Sequence, residues 1–349
     1  MAAVEGIGHA LGPRVAAPSG GGARLVRAVA VLGPLLVVVA SLSLWVGQRP
    51  LDFSALATDP IAYTAFFTLR LPRVLLGAIV GASLGAVGAS LQAMFRNPLA
   101  EPFTLGVSGG GTLGASVAIA LGWGATVLGI PFIFVAGFAG ALIAVMIGVR
   151  VGSRMSVVVP GTMLLAGLAI NLTATAGVII LQYMVDYSRA LQILRWTIGS
   201  LEVVGFGLIQ PMLILLVPAW AVLLFSLRDL HVVAMGEDVA LSLGVDVRAC
   251  ERRVFVAASI IVGVTVSVGG TIAFVGLVVP HFARLLFGED VRVVVPCSFL
   301  LGAAFLMGAD TLARSLMPSS ELPVGAVTAL VGGAMFLWLL GRYRTPVGA

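Results

Sequence analysis

The chain has 349 residues, of which 60% are hydrophobic and 10% charged, against roughly 25% charged residues in soluble domains. Surface-to-volume scaling gives a water-soluble fold too little interior for this apolar content, so the natural solvent is lipid. All 20 basic residues are arginine, which excludes a GK[ST] phosphate loop, a Schiff-base lysine and a kinase-type lysine, and the net charge of +5 reads as arginines flanking apolar spans, with no nucleic-acid footprint.

Residues 1–23 are rich in Gly, Ala and Pro and read as a disordered cytoplasmic tail. Arg24 and Arg27 then precede the apolar run 28–46. The run is long enough to span and no A-x-A site follows it, so it is expected to stay as the first membrane helix and not to be cleaved as a signal peptide. Further spans of about 20 apolar residues are expected at 74–95, 105–123, 131–149, 162–184, 208–227, 254–271, 273–287, 293–312 and 324–341. The fold class expected is therefore all-α: a polytopic membrane protein with about ten transmembrane helices, in one domain over 24–345. The span at 273–287 is the weakest, being short and holding Pro280, His281 and Arg284.

With the N-terminus inside, six arginines fall outside, namely Arg49, Arg70, Arg73, Arg189, Arg195 and Arg314, and the other fourteen of the 20 fall inside. That bias favours N-in and C-in. A faint inverted repeat accompanies it. Arg73-Val-Leu-Leu-Gly opens one block on the outer side and Arg253-Val-Phe-Val-Ala opens another on the inner side, while Pro160-Gly161 and Pro323-Val324-Gly325 enter later helices. Inverted repeats are a common transporter plan, with the pathway at the repeat interface.

Arg70-Leu71-Pro72-Arg73 starts the second span against the positive-inside trend, and Arg314 adds a third outer cation. Such a cluster suits charge-assisted pairing with acidic residues of an external partner, although snorkelling arginines at a proline-started helix explain it as well. The inner loop Phe95-Arg96-Asn97-Pro98-Leu99-Ala100-Glu101-Pro102 is a proline-bounded turn that can narrow a pore mouth. Gly106 to Gly114 is glycine-rich but lacks lysine and a preceding strand, so it reads as close helix packing. The stretch 228–253 is the longest inner loop, and Gly236-Glu237-Asp238-Val239-Ala240-Leu241-Ser242-Leu243-Gly244 reads as a short helix with a glycine stop, able to seat in a groove of a cytosolic motor. His231 is a lone histidine in that loop. Tyr183 to Glu202 is either an interfacial belt or a short outer helix. Asp310, Asn171 and Gln182 are the sparse polar residues within spans, and they form no acid relay of the kind a proton-coupled carrier needs. Cys250 and Cys297 make neither a disulfide framework nor a metal site.

RLPR, FRNPLAEP, LGVSGGG, MGEDVALSLGV, IAFVGLVVPHFARLLFGED and SSELPVGAVTALVGGAMFLWLL occur here in that order. Together, over residues 30–345, they resemble the permeases of ABC importers for iron–siderophores, haem and cobalamin. The resemblance implies an inner-membrane permease without a catalytic site and without a cofactor of its own. Its implied partners are a second permease subunit (an identical copy or a paralogue), two cytosolic ATPases that bind ATP and Mg, an extracytoplasmic substrate-binding protein, and lipid. Arg70, Arg73 and Arg314 match arginines that meet acids of the binding protein. Asn97 and Leu99 match the cytoplasmic gate, to which Pro160 and Gly161 at the inner mouth belong as well. Gly236, Glu237, Asp238, Ala240, Leu243 and Gly244 match the coupling helix seated in the ATPase. Val159-Pro160-Gly161 replaces a hydroxyl-rich stretch of the cobalamin permease, which counts against cobalamin, and the frequency of cargoes in the family makes a ferric siderophore the expected cargo, then haem, then cobalamin. The rival class is an ion-coupled secondary transporter.

Overall fold

The computed structural model describes residues 21–47, 58–127, 129–153, 160–317 and 321–342. The expected tail at 1–23 lies outside the described residues up to 20, and its last three residues open the first helix, α1 (Gly21–Trp45). The chain continues through α2 (Pro60–Thr64), a π-helical turn Ala65–Arg70 and α3 (Leu71–Met94). Next come α4 (Val107–Ala120), α5 (Phe132–Ser153), α6 (Pro160–Met184) and α7 (Tyr187–Ile198). Then follow α8 (Ile209–Phe225), α9 (Leu227–Met235), α10 (Glu237–Ser242) and α11 (Val247–Gly269). The last three are α12 (Val275–Phe287), α13 (Val291–Ser315) and α14 (Val324–Arg342). The only strands among the described residues are the two-residue pair β1 (Thr126–Val127) and β2 (Ile130–Pro131), antiparallel in the turn before α5.

Each of the ten expected spans has its counterpart. Six helices among the described residues are long and apolar enough to cross alone: α1, the run from α2 through α3, α5, α6, α11 and α13. Helices α8 and α9, bent by 50° between them, are long and apolar enough only as a pair, which makes a seventh if the pair is one span. Three shorter apolar helices, α4, α12 and α14, complete the set. Where these helices meet water, aspartates start them. Asp59, Asp186, Asp246 and Asp290 each accept a hydrogen bond from a main-chain N–H of the first turn, satisfying a donor the helix cannot.

Close approach through glycine holds the bundle. A Cβ at Gly81 would overlap Gly302 O and one at Gly85 would overlap Ser298 O, so α3 and α13 touch backbone to backbone. The glycine run expected to be a packing surface does the same on the other side, Gly110 and Gly114 facing Gly140 and Ala136 of α5. The packing also repeats. Helix α4 lies on α5 and α6 as α12 lies on α13 and α14. Helix α3 crosses to α12 and α13 of the second half, and α11 crosses to α4 and α5 of the first. Since α3 is the second crossing and α11 the seventh, the two run in opposite senses, as the sequence repeat requires.

Helices α4 and α12 have 14 and 13 residues, which reach only about 20 Å at 1.5 Å per residue, short of a hydrocarbon core of about 30 Å. Irregular backbone completes each crossing, and it is tolerated because protein surrounds it and bonds it. Gly109 N donates to Asn171 Oδ1 at 2.9 Å, and Asn171 Nδ2 donates to Phe103 O at 2.7 Å. Ser200 N donates to Gly269 O at 2.9 Å. The hydroxyls of Ser108 and Thr112 each lie 3.2 Å from that of Thr271, so the start of α4 meets the turn before α12 inside the protein.

Candidate functional site

At one end of the bundle lies a cleft of about 930 Å³ whose charged lining is Arg70, Arg73, Arg195, Arg314, Glu202 and Glu321. All four arginines were assigned outside on charge bias alone. Arg189 sits at the same end over the α4–α5 turn, its Nη1 donating to Ala120 O at 3.0 Å. Arg49 falls outside the described residues.

The structure distinguishes arginines that the sequence treated as equals. Arg73 grips Asp310 of α13: its Nε lies 3.1 Å from both carboxylate oxygens and its Nη2 lies 2.9 Å from Oδ1. Its Nη1 donates to Glu321 Oε2 at 2.6 Å. Arg314, one turn after Asp310 on the same helix, places Nε 2.9 Å from Asp310 Oδ2. That contact is off the hydrogen-bond line, so its attraction is coulombic. Arg314 Nη2 donates instead to Ser43 O at 3.2 Å and Thr311 Oγ1 at 3.4 Å. Arg314 is only 5% exposed and Asp310 2%, so Arg314 is a buried member of a shared ion pair and not a rim cation. Arg70 points the other way. Its Nη1 donates to Leu44 O and Trp45 O at 3.1 Å each, capping the carbonyl end of α1. Arg70 closes the π-helical turn Ala65–Arg70 just before α3, and ordinary α-helical backbone joins it to Arg73, so the two arginines differ in the partners their side chains reach and not in helix register.

At the opposite end, the loop after α3 carries Asn97 and Leu99. Asn97 Oδ1 accepts from Leu99 N at 2.9 Å, an Asx turn that holds the Leu99 side chain outward and 52% exposed. Pro160 and Gly161 start α6, but their side-chain surroundings lie outside the described residues. Glu101 is half-buried in the same loop; desolvation there pushes its carboxyl above the ordinary value, and a hydrogen bond from the Phe274 amide opposes that.

The short helix read between Gly236 and Gly244 is α10, entered through Gly236 at φ 134° and left through Gly244 at φ 77°. Glu237 and Asp238 occupy its first turn, where the helix dipole favours them. Ala240 is fully buried against the bundle, while Leu241 and Leu243 stand exposed beside Met235 and Val239. Behind it Arg253 Nη2 donates to Asp229 Oδ2 at 2.6 Å. His231, read from sequence as a lone histidine, lies 3.5 Å from Asp290 Oδ1 at the α12–α13 turn. Tyr183–Glu202 contains a genuine outer helix, α7.

Sequence reasoning missed two residues of these sites. Asp310 was noted as polar but not as the centre of the arginines, although its i,i+4 spacing to Arg314 is a readable helix pair. Glu321 reaches the cleft from a distant part of the chain and carried no local signal, and Arg195 was placed outside without a role.

A family model described as the FecCD transport family matches residues 35–342. The hemin transport permease HmuU of Yersinia pestis is 37% identical over 314 residues, covering 89% of this chain and 94% of that relative. The cobalamin import permease BtuC of Halobacterium salinarum is 40% identical over 292 residues, covering 83% and 76%. Among solved structures, an inward-facing metal-chelate type ABC transporter superposes with a TM-score of 0.81 at 28% identity, covering 91% of this chain and 99% of that one.

Proposed function

The chain belongs to the FecCD transport family, and on that premise we propose that it forms half of the translocation pathway for a ferric chelate, with a siderophore as cargo. As a member of this family it is a non-catalytic, multi-pass inner-membrane permease of an ABC importer. Haem and cobalamin, carried by the named relatives, are the next candidates. The observation that carries the reading is the division of the molecule: an ionic cleft at one end, and an exposed apolar helix, α10, at the other. An importer needs a delivery mouth and a motor seat on opposite sides of the membrane, and this chain offers a surface suited to each.

In this reading an extracytoplasmic binding protein docks acidic side chains at the cleft. Arg70 and Arg73 are the direct contacts, and Arg314 acts from behind them through Asp310. Leu241 and Leu243 of α10 seat in a groove of a cytosolic ATPase, with Glu237 and Asp238 at its edge. ATP and Mg bind on that partner. A second permease subunit supplies the other half of the pore, and Asn97, Leu99, Pro160 and Gly161 narrow its inner mouth. Nucleotide binding drives the change only by binding one conformation more tightly than the other.

Vesicles containing the permease, its neighbouring ATPase and its binding protein test the proposal with a panel of ferric siderophores, haem and cobalamin. ATP-dependent uptake of a ferric siderophore is expected. Uptake of haem or cobalamin alone would overturn the cargo, and uptake that persists without the ATPase and follows an ion gradient would overturn the importer.

A further inference from the structure

Three features meet at the inner end of α3. Pro280 lies within α12 and has no N–H, so it leaves Gly276 O, four residues earlier, without its helical partner. Gly276 is buried, and a buried carbonyl without a donor is costly in a membrane protein. Gln92, 3% exposed, supplies the donor: its Nε2 reaches Gly276 O at 3.1 Å and Leu277 O at 3.3 Å. Its Oε1 accepts from Arg284 Nη2 at 2.6 Å, one turn beyond the proline.

The main chain of the same residue sets the next loop. Asn97 N donates to Gln92 O at 3.1 Å and Arg96 N to Ala93 O at 3.3 Å, the two bonds of a Schellman cap. Arg96 holds the left-handed position at φ 50°, where glycine is usual. From the far side of the loop, Glu101 Oε1 accepts from Phe274 N at 2.7 Å at the start of α12. Phe274 is itself left-handed at φ 69°. Arg96 and Phe274 are the only non-glycine residues with positive φ among those described. Such conformations persist where the surroundings over-determine them.

We propose that Gln92 and Glu101 are positioning residues that fasten the half helix α12 to the loop 95–101, so that the two move as one body and carry the stroke at α9 and α10 to the inner mouth. The stroke reaches α12 through His231 of α9, which lies 3.5 Å from Asp290, the N-cap of α13 in the short turn that follows α12. The inference rests on the gate role proposed for Asn97 and Leu99.

The test uses the assembled transporter with spin labels at Arg96→Cys and Leu286→Cys, both exposed positions, and measures their separation with and without trapped nucleotide. In the otherwise native chain the separation is expected to stay the same in both states. Gln92→Leu and Glu101→Ala should each broaden it and lower cargo moved per ATP about tenfold or more, because buried polar groups lose their partners. Glu101→Gln keeps an oxygen acceptor for Phe274 N and should retain coupling. A merely structural role would lower transport and ATP hydrolysis together and leave their ratio unchanged. A native-chain separation that changes with nucleotide, or a normal ratio in Glu101→Ala, overturns the proposal, and the first of these needs no destabilised variant. If the separation stays constant while Asn97→Ala with Leu99→Ala causes no leak, the gate reading fails and the fastening stands.

Discussion

Replacing Asp310 by Asn tests the architecture of the outer cleft directly. The carboxylate is 2% exposed and answers two guanidinium groups, Arg73 and Arg314. Asparagine keeps the volume and one acceptor but removes the charge. Arg73 retains Glu321 at 2.6 Å, whereas Arg314 is left buried with only Ser43 O and Thr311 Oγ1. Removing one partner from a buried pair costs about 3–5 kcal/mol, and the surviving Glu321 contact argues for the lower end. Glu321→Gln breaks a pair whose acid is 32% exposed, for which about 0–1 kcal/mol is expected. The buried thiols Cys250 and Cys297 report unfolding without further engineering. Thermal unfolding followed by a thiol-reactive dye should therefore rank Asp310→Asn far below Glu321→Gln, with Glu321→Gln close to the native chain. Adding Arg314→Met to Asp310→Asn removes the stranded charge and should restore part of the loss. Equal melting of Asp310→Asn and the native chain would refute the buried-pair account, as would a Glu321→Gln variant that loses as much.

Gly302→Val at the α3–α13 crossing has no room, since its Cβ would overlap Gly81 O. A loss of at least about 1–3 kcal/mol is expected from overpacking, read as reduced folded yield and earlier dye labelling. Cysteines at Glu237 and Asp238 should crosslink to the ATPase subunit; labelling of either by an impermeant thiol reagent from outside only would reverse the orientation. Asp290 is held below the ordinary carboxylate range chiefly by the Arg292 side-chain hydrogen bond. A depressed folded value adds stability above the unfolded value, about 3.8, and that stability is lost as pH falls through the folded value. Acid titration of stability should show this loss in the native chain and less of it in Asp290→Asn; identical acid profiles would remove Asp290 from the account.

How much was legible in advance varied with the range of the interaction. Apolar run length located an apolar helix for each expected span, because a lipid solvent imposes an apolar run on each helix independently of its neighbours. Arginine bias sorted Arg70, Arg73, Arg195 and Arg314 to one end, and the cleft brings those four together. The short helix after Gly236 was readable because its acids and glycine stop are local signals. The short span at 273–287 was legible and is α12, whereas the shortness of α4 was not, since apolar residues flanking it extend the hydropathy past the true helix ends. Nor was the division among the outer arginines: Arg70 reaches the end of α1 and Arg73 reaches Asp310 of α13, partners that lie far away in sequence.

The sequence by itself therefore determined the solvent, the places of the apolar helices and the family. Each follows from composition or from contiguous pattern. Only the tertiary structure decided that Asp310 stands between Arg73 and Arg314, and that Gln92 bonds the carbonyl released by Pro280. Those pairings join residues 184 and 237 positions apart. Nothing in one dimension states which helices will touch, because that choice is made by glycine surfaces packing against one another after every helix has formed.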